Sequence, residues 1–218
     1  AQHLAGLGEA GEVSIVPGNH DAYVRGSLDL MHLKFGAHMR GEEGREGFPY
    51  LRTRGPLALI GLSSAIPTAP LIADGELGPE QAERLRQLLP QARRHHAGVV
   101  VMIHHPPHRG GARLFRGLRD APRFEQILAE HGADLVIHGH NHKRSLAWRR
   151  GPDGRSVPIV GVASASAVPG DPRHCAAYHL FRFHEARGGA MRIDLRVRGM
   201  RNAHAPVETL DEMELKQP

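Results

Sequence analysis

Cys175 is the single cysteine of the 218 residues. No internal disulfide can form, and a structural zinc site built on thiolates is excluded. That sparing use fits a reducing, cytoplasmic compartment. Long apolar runs are missing as well: the densest, Val99 to Ile103, is strand length, whereas a membrane span needs roughly 18 or more residues. A soluble protein is therefore expected. The opening residues carry neither a basic leader nor an apolar signal core. Aromatic residues make up only 5% of the chain, too few to suggest a base-stacking platform for nucleic acid. Repeats and low-complexity segments are absent.

What is present is ordinary globular material, 40% hydrophobic and 23% charged, enough for one compact core. Lys plus Arg less Asp plus Glu is 28 − 23 = +5, a balance that favours phosphate-bearing ligands over cationic ones. Arginines such as Arg84, Arg86, Arg93 and Arg94 lie in an amphipathic stretch and read as a solvated helix face.

Along the chain, Val13 to Val16 reads as a short strand ending at Pro17-Gly18, and Val24, Leu28, Met31 and Phe35 recur at helical spacing. Leu51 to Thr53 and Leu57 to Leu62 read as two strands joined through Gly55-Pro56. Helices are expected from Pro79, where proline suits the first turn, and from Pro122 to a stop at Gly132. Val99 to Ile103 and Leu135 to Ile137 lack polar alternation, as strands covered on both faces do. Four further strands are expected at Ser145 to Trp148, Val157 to Val162, Ala177 to Phe183 and Met191 to Val197. The pattern predicts a layered α/β sandwich over residues 1–199, with residues 200–218 a loosely attached tail.

Three apolar runs end in metal-competent residues: Asn19-His20 after the first, His104-His105 after the second, His140 and His142 after the third. The carboxyl ends of strands border the ligand crevice in open α/β sheets, so these distant residues can converge. Imidazole nitrogens with an amide oxygen suit Zn, Mn or Fe in a hydrolytic site. Among 17 histidines a single His-x-His means little, and His95, His96, His174, His179 and His184 are read as surface or packing residues, His138 as a packed or supporting one. Gly-Asn-His-Asp, His-His-Pro-Pro and Gly-His-Asn-His, each after an apolar run, are not read as coincidence.

Gly18-Asn19-His20-Asp21, His104-His105-Pro106-Pro107 and Gly139-His140-Asn141-His142 resemble the motifs of the calcineurin-like metallophosphoesterase superfamily, in particular its bacterial cyclic-nucleotide phosphodiesterase-like branch. The resemblance implies an α/β sandwich of the metallophosphoesterase type and two divalent or mixed-valence transition-metal ions (Mn, Fe or Zn) acting on phosphate esters, cyclic nucleotides included. Carried onto this chain, it implies Asn19, His104 and His140 as ligands of one metal and His142 as a ligand of its neighbour. His20 would contact phosphate, Asp21 would orient His20, and Gly18 and Gly139 would permit tight turns. His105 would line the pocket, and His108 and Arg109 are candidates for contacting the leaving group.

The family's Asp-x-His and Gly-Asp motifs, which precede Gly-Asn-His-Asp, are not found in residues 1–17, and the chain opens on Ala1. The amino-terminal βαβ portion is therefore expected to be missing, and this chain alone to be impaired as a dinuclear hydrolase. Two other readings stand beside the phosphodiesterase. A nuclease of the same superfamily would use Arg109, Arg113, Arg116 and Arg119 on phosphates, although a solvated basic loop accounts for them as well. A non-catalytic scaffold on the same fold is the third.

Overall fold

The computed structural model describes residues 6–42, 44, 47–167, 175–185 and 191–216. A six-stranded mixed sheet runs through its middle in the order β1-β2-β3-β4-β6-β5. The strands are β1 (Tyr50–Arg54), β2 (Leu57–Gly61), β3 (Gly98–Ile103), β4 (Leu135–His138), β5 (Ser145–Arg150) and β6 (Ser156–Gly161). β2, β3, β4 and β6 are mutually parallel, and β1 and β5 run antiparallel along the two edges. A second, antiparallel sheet of β7 (Ala177–Glu185), β8 (Met191–Gly199) and β9 (Glu208–Glu214) covers one face.

The continuous apolar runs of β3 and β4 are explained by burial on both sides. Val99, Val101 and Ile103 point into a core shared with α2 (Pro79–His95) and α3 (Ala121–His131), filled by Leu85, Leu89, Phe124 and Ile127. Val100, with Leu135 and Val160, points the other way, onto Ala177, Ile193, Leu195 and Val197 of the second sheet. One period-two strand thus serves two cores, giving a helix–sheet–sheet sandwich. Gly132, at φ 67°, ends α3 in the left-handed region where a Cβ would be strained.

Three expectations need correction. Val13 to Val16 is not a strand. Its carbonyls go to side chains, Val13 O to Arg52 Nη1 at 2.8 Å and Ile15 O to the Tyr50 hydroxyl at 2.8 Å. Arg52 is itself buried and also donates to the carbonyls of Ala10, Ala37 and Arg40, so one guanidinium on β1 staples the amino-terminal segment to the sheet. The helix expected from Val24 forms as α1 (Ser27–Phe35) but buries none of its residues; Leu33 is 82% exposed. The expected loose tail beyond Gly199 contains β9, paired along β8, with Leu215 buried behind it. His174 lies outside the described residues. Among those described, no helix is long and apolar enough to cross a membrane.

Candidate metal centre

Parallel strands deliver their carboxyl ends to one edge, and the backbone ladder continues past them. Leu62 N–H donates to Met102 O, Gly139 N–H to His104 O and Val162 N–H to His138 O, at 2.9 to 3.0 Å. His104 follows β3 directly and His140 stands two residues past β4, so this ladder sets both side by side. The Gly-Asn-His-Asp segment arrives across them as a single 3-10 turn, Asn19–Asp21.

Three donor atoms meet there. His104 Nε2 is 3.0 Å from Asn19 Oδ1, His140 Nδ1 is 3.1 Å from the same oxygen, and the two nitrogens are 3.2 Å apart. The amide nitrogen of Asn19 donates to the Tyr23 hydroxyl, which fixes the oxygen towards the histidines. Donors bound at right angles to one ion at ~2.1 Å stand ~3.0 Å apart, so the triangle matches one shared cation. Burial, with the neighbouring His140 ring, pushes His104 down to about 3, and burial pushes His140 down to about 4. Both rings are therefore neutral at pH 7, the form in which imidazole binds metal.

His105 belongs to the same cluster, with one ring nitrogen within 4.8 Å of one nitrogen each of His104 and His140. It is nevertheless committed elsewhere. Nε2 faces the Ala73 carbonyl at 3.1 Å and must carry the proton, which leaves Nδ1 to accept from Ser64 Oγ at 2.7 Å. Fully buried, it braces His140 from behind with ring centroids 4.4 Å apart and does not line the cleft. His138, also buried, hydrogen-bonds the Gly139 carbonyl through Nδ1 at 3.0 Å.

Backbone geometry at the site is costly in places. His140 and His142 have φ 66° and 55°, left-handed values that non-glycine residues adopt at about 1 kcal/mol or more. Between them Asn141 donates to the Gly111 carbonyl at 2.8 Å, clasping this loop to the one that follows β3. Gly18 is extended, φ −116° and ψ −175°, so conformation does not require glycine there. Space does: a Cβ would stand 2.6 Å from the His104 ring. At Gly139 the nearest neighbour of such a Cβ is 3.9 Å away.

Asn19 and His140 of the triangle, with His104 set behind them, line a cleft of about 790 Å³. His20 and His142 line it, exposed, together with Arg113, Arg116 and Lys143, and among the described residues no carboxylate does. A cleft with three fixed cations and no acid attracts anions. Arg119, by contrast, pairs with Asp74. The expected pocket residues His108 and Arg109 lie outside the cleft. Arg149 donates to His108 Nδ1 at 2.8 Å, and Arg109 pairs with Glu125 on α3 at 2.8 Å. Asp21 Oδ2 accepts the Gly18 N–H at 2.8 Å, so its carboxylate closes its own turn. Tyr23, Ser64 and Lys143 complete the surroundings and carry no sequence signal: Tyr23 and Ser64 act through hydrogen bonds set by the folded chain, and Lys143 through its place on the cleft.

No curated protein matches the chain. The profile of the calcineurin-like phosphoesterase family matches residues 2–144, a span that takes in Gly-Asn-His-Asp, His-His-Pro-Pro and Gly-His-Asn-His together with β3 and β4, which carry the last two. With the fold, the histidine cluster and this match in agreement, the chain belongs to the calcineurin-like phosphoesterase family.

Proposed function

We propose that this chain forms the metal- and phosphate-binding part of a phosphodiesterase, with Asn19, His104 and His140 holding one cation. The observation that carries the reading is the Asn19–His104–His140 triangle, of which Asn19 and His140 line a cleft that Arg113, Arg116 and Lys143 also line. In that family setting the metal, when bound, supplies Lewis-acid charge and an activated water for attack on phosphorus. Arg113, Arg116 and Lys143 would hold the phosphoryl oxygens and oppose the charge that builds on them. His20, exposed in the cleft and edge-on against Tyr23 at 5.0 Å between centroids, would hydrogen-bond the leaving oxygen or protonate it. His142 is the residue of this chain offered to a second cation, whose remaining ligands the cleft's described residues do not supply.

The test combines binding and turnover. The chain is titrated with Mn²⁺ or Zn²⁺ by calorimetry, then assayed on bis(p-nitrophenyl) phosphate beside His140→Ala. One ion per wild-type chain and none on the variant is the expected result; equal metal uptake, or equal and measurable turnover, by the two refutes the reading.

The position of Arg113 and Arg116 in the cleft also favours a second reading, a nuclease of the same family. It predicts DNA binding that weakens steeply with salt and DNA cleavage lost on Arg116→Ala.

A further inference from the structure

We propose that Leu71 is a specificity-determining residue of the cleft, packing against an apolar or aromatic leaving group of the bound phosphate ester. The inference rests on the phosphate-ester reading above. Ala69 to Ile72 form a tight turn in which Ile72 N–H donates to Ala69 O at 3.1 Å, with Pro70 second and Leu71 third. Leu71 has φ 71°. That is the pattern of a type II turn, whose third position calls for glycine or asparagine, and a branched side chain there costs about 1 kcal/mol or more.

Among the described residues nothing packs on Leu71 to offset this. The Leu71 side chain is 97% exposed, so folding gains no burial from it. The turn is nonetheless held firmly: Thr68 Oγ donates to Ile72 O at 2.7 Å, and Ala73 N–H donates to Phe115 O at 2.8 Å, tying it to the loop that carries Arg113 and Arg116. Leu71 and Tyr23 are the exposed large hydrophobic residues that line the cleft, on which the cations also open. A ligand that places phosphate against the cations and carbon against Leu71 uses both, and gives the leucine a role where the backbone asks for glycine. Esters of aromatic or aliphatic alcohols fit this division better than esters of polyols.

The test uses two probes of equal charge, phenyl phosphate and glycerol phosphate, titrated into the metal-loaded chain. Covering about half of a leucine side chain gives a preference of about fivefold for phenyl phosphate. Leu71→Gly is expected to bring that ratio to about one, while its melting temperature stays level or rises because glycine relaxes the turn. A preference that survives Leu71→Gly, no preference in the wild type, a melting temperature lowered by the substitution, or self-association that depends on Leu71 would each overturn the proposal. Retention of metal without binding of either probe would overturn it too. Loss of metal and probes together would instead bring down the phosphate-ester reading on which it rests.

Discussion

Replacing Gly18 by alanine separates space from conformation at the metal centre. The backbone there, φ −116° and ψ −175°, is one any residue adopts, so alanine brings no torsional strain. The added Cβ would lie 2.6 Å from Cε1 and Nδ1 of the His104 ring, whereas ordinary contact begins near 3.4 Å. Relief requires a shift of about 1 Å by a ring that is largely buried and aimed at Asn19. Overpacking of this kind costs about 1–3 kcal/mol, which at about 1.4 kcal/mol per decade corresponds to roughly a 5- to 150-fold change in an equilibrium constant. Because the ring that must move belongs to the proposed ligand triangle, most of that change is expected in metal affinity, with a smaller loss in the melting temperature of the metal-free chain. Gly139→Ala is the control: its Cβ would have no neighbour closer than 3.9 Å, and near-wild-type metal binding is expected. Calorimetric titration of Mn²⁺ or Zn²⁺ into the three proteins reads the difference. Wild-type affinity in Gly18→Ala, or equal damage in Gly139→Ala, would refute the steric argument.

Burial, with the His140 and His104 rings nearby, pushes His105 down to about 3, so between about pH 3 and its unfolded value near 6.5 the unfolded chain binds a proton that the native chain refuses. Its contribution to stability is full above that unfolded value and is lost as pH falls towards the folded one. Thermal melts of the metal-free protein should therefore decline from pH 7 to pH 4, less steeply in His105→Asn; a flat wild-type profile would contradict this. Arg52→Met leaves the carbonyls of Ala10, Val13, Ala37 and Arg40 without their guanidinium partner. A loss of about 3 kcal/mol is expected in denaturant melts, with faster proteolysis between residues 10 and 40, and wild-type resistance there would argue against the staple. Arg116→Ala should weaken binding of inorganic phosphate to the metal-loaded chain by about tenfold and flatten its salt dependence, and an unchanged salt dependence would place the anion elsewhere.

The parts of the fold that could be read from sequence are those where one residue pattern has one physical cause. Val99 to Ile103 is apolar without interruption because helices lie on one side and a second sheet on the other, and both coverings leave the same mark. Val13 to Val16 carries a strand's composition, yet a strand exists only if a neighbour offers a ladder, and here Arg52 and Tyr50 take the carbonyls instead. β9 escaped notice for a different reason. Its partly buried residues Leu210 and Met213 are three apart, because the register with β8 shifts between Val197 and Arg198. A bulge breaks the alternation by which a strand is recognised. At the site, Asn19, His104 and His140 were visible as polar residues closing apolar runs. That His105 turns inward to Ser64 and Ala73 while Arg113 and Arg116 turn to the cleft depends on loop paths, which short-range pattern does not encode.

The helix α1, which buries none of its residues, has a kinetic consequence. His104 and His140 stand on loops locked into the central ladder, while Asn19 rides on the segment that contains this helix and that Arg52 clamps at Ala10, Val13, Ala37 and Arg40. Local opening of that segment withdraws one ligand without disturbing the sheet. In the proposed site, the ion's dissociation rate is expected to follow how often the stretch between those clamped residues opens. Tightening that segment should lengthen the ion's residence time even where no residue near the metal is changed.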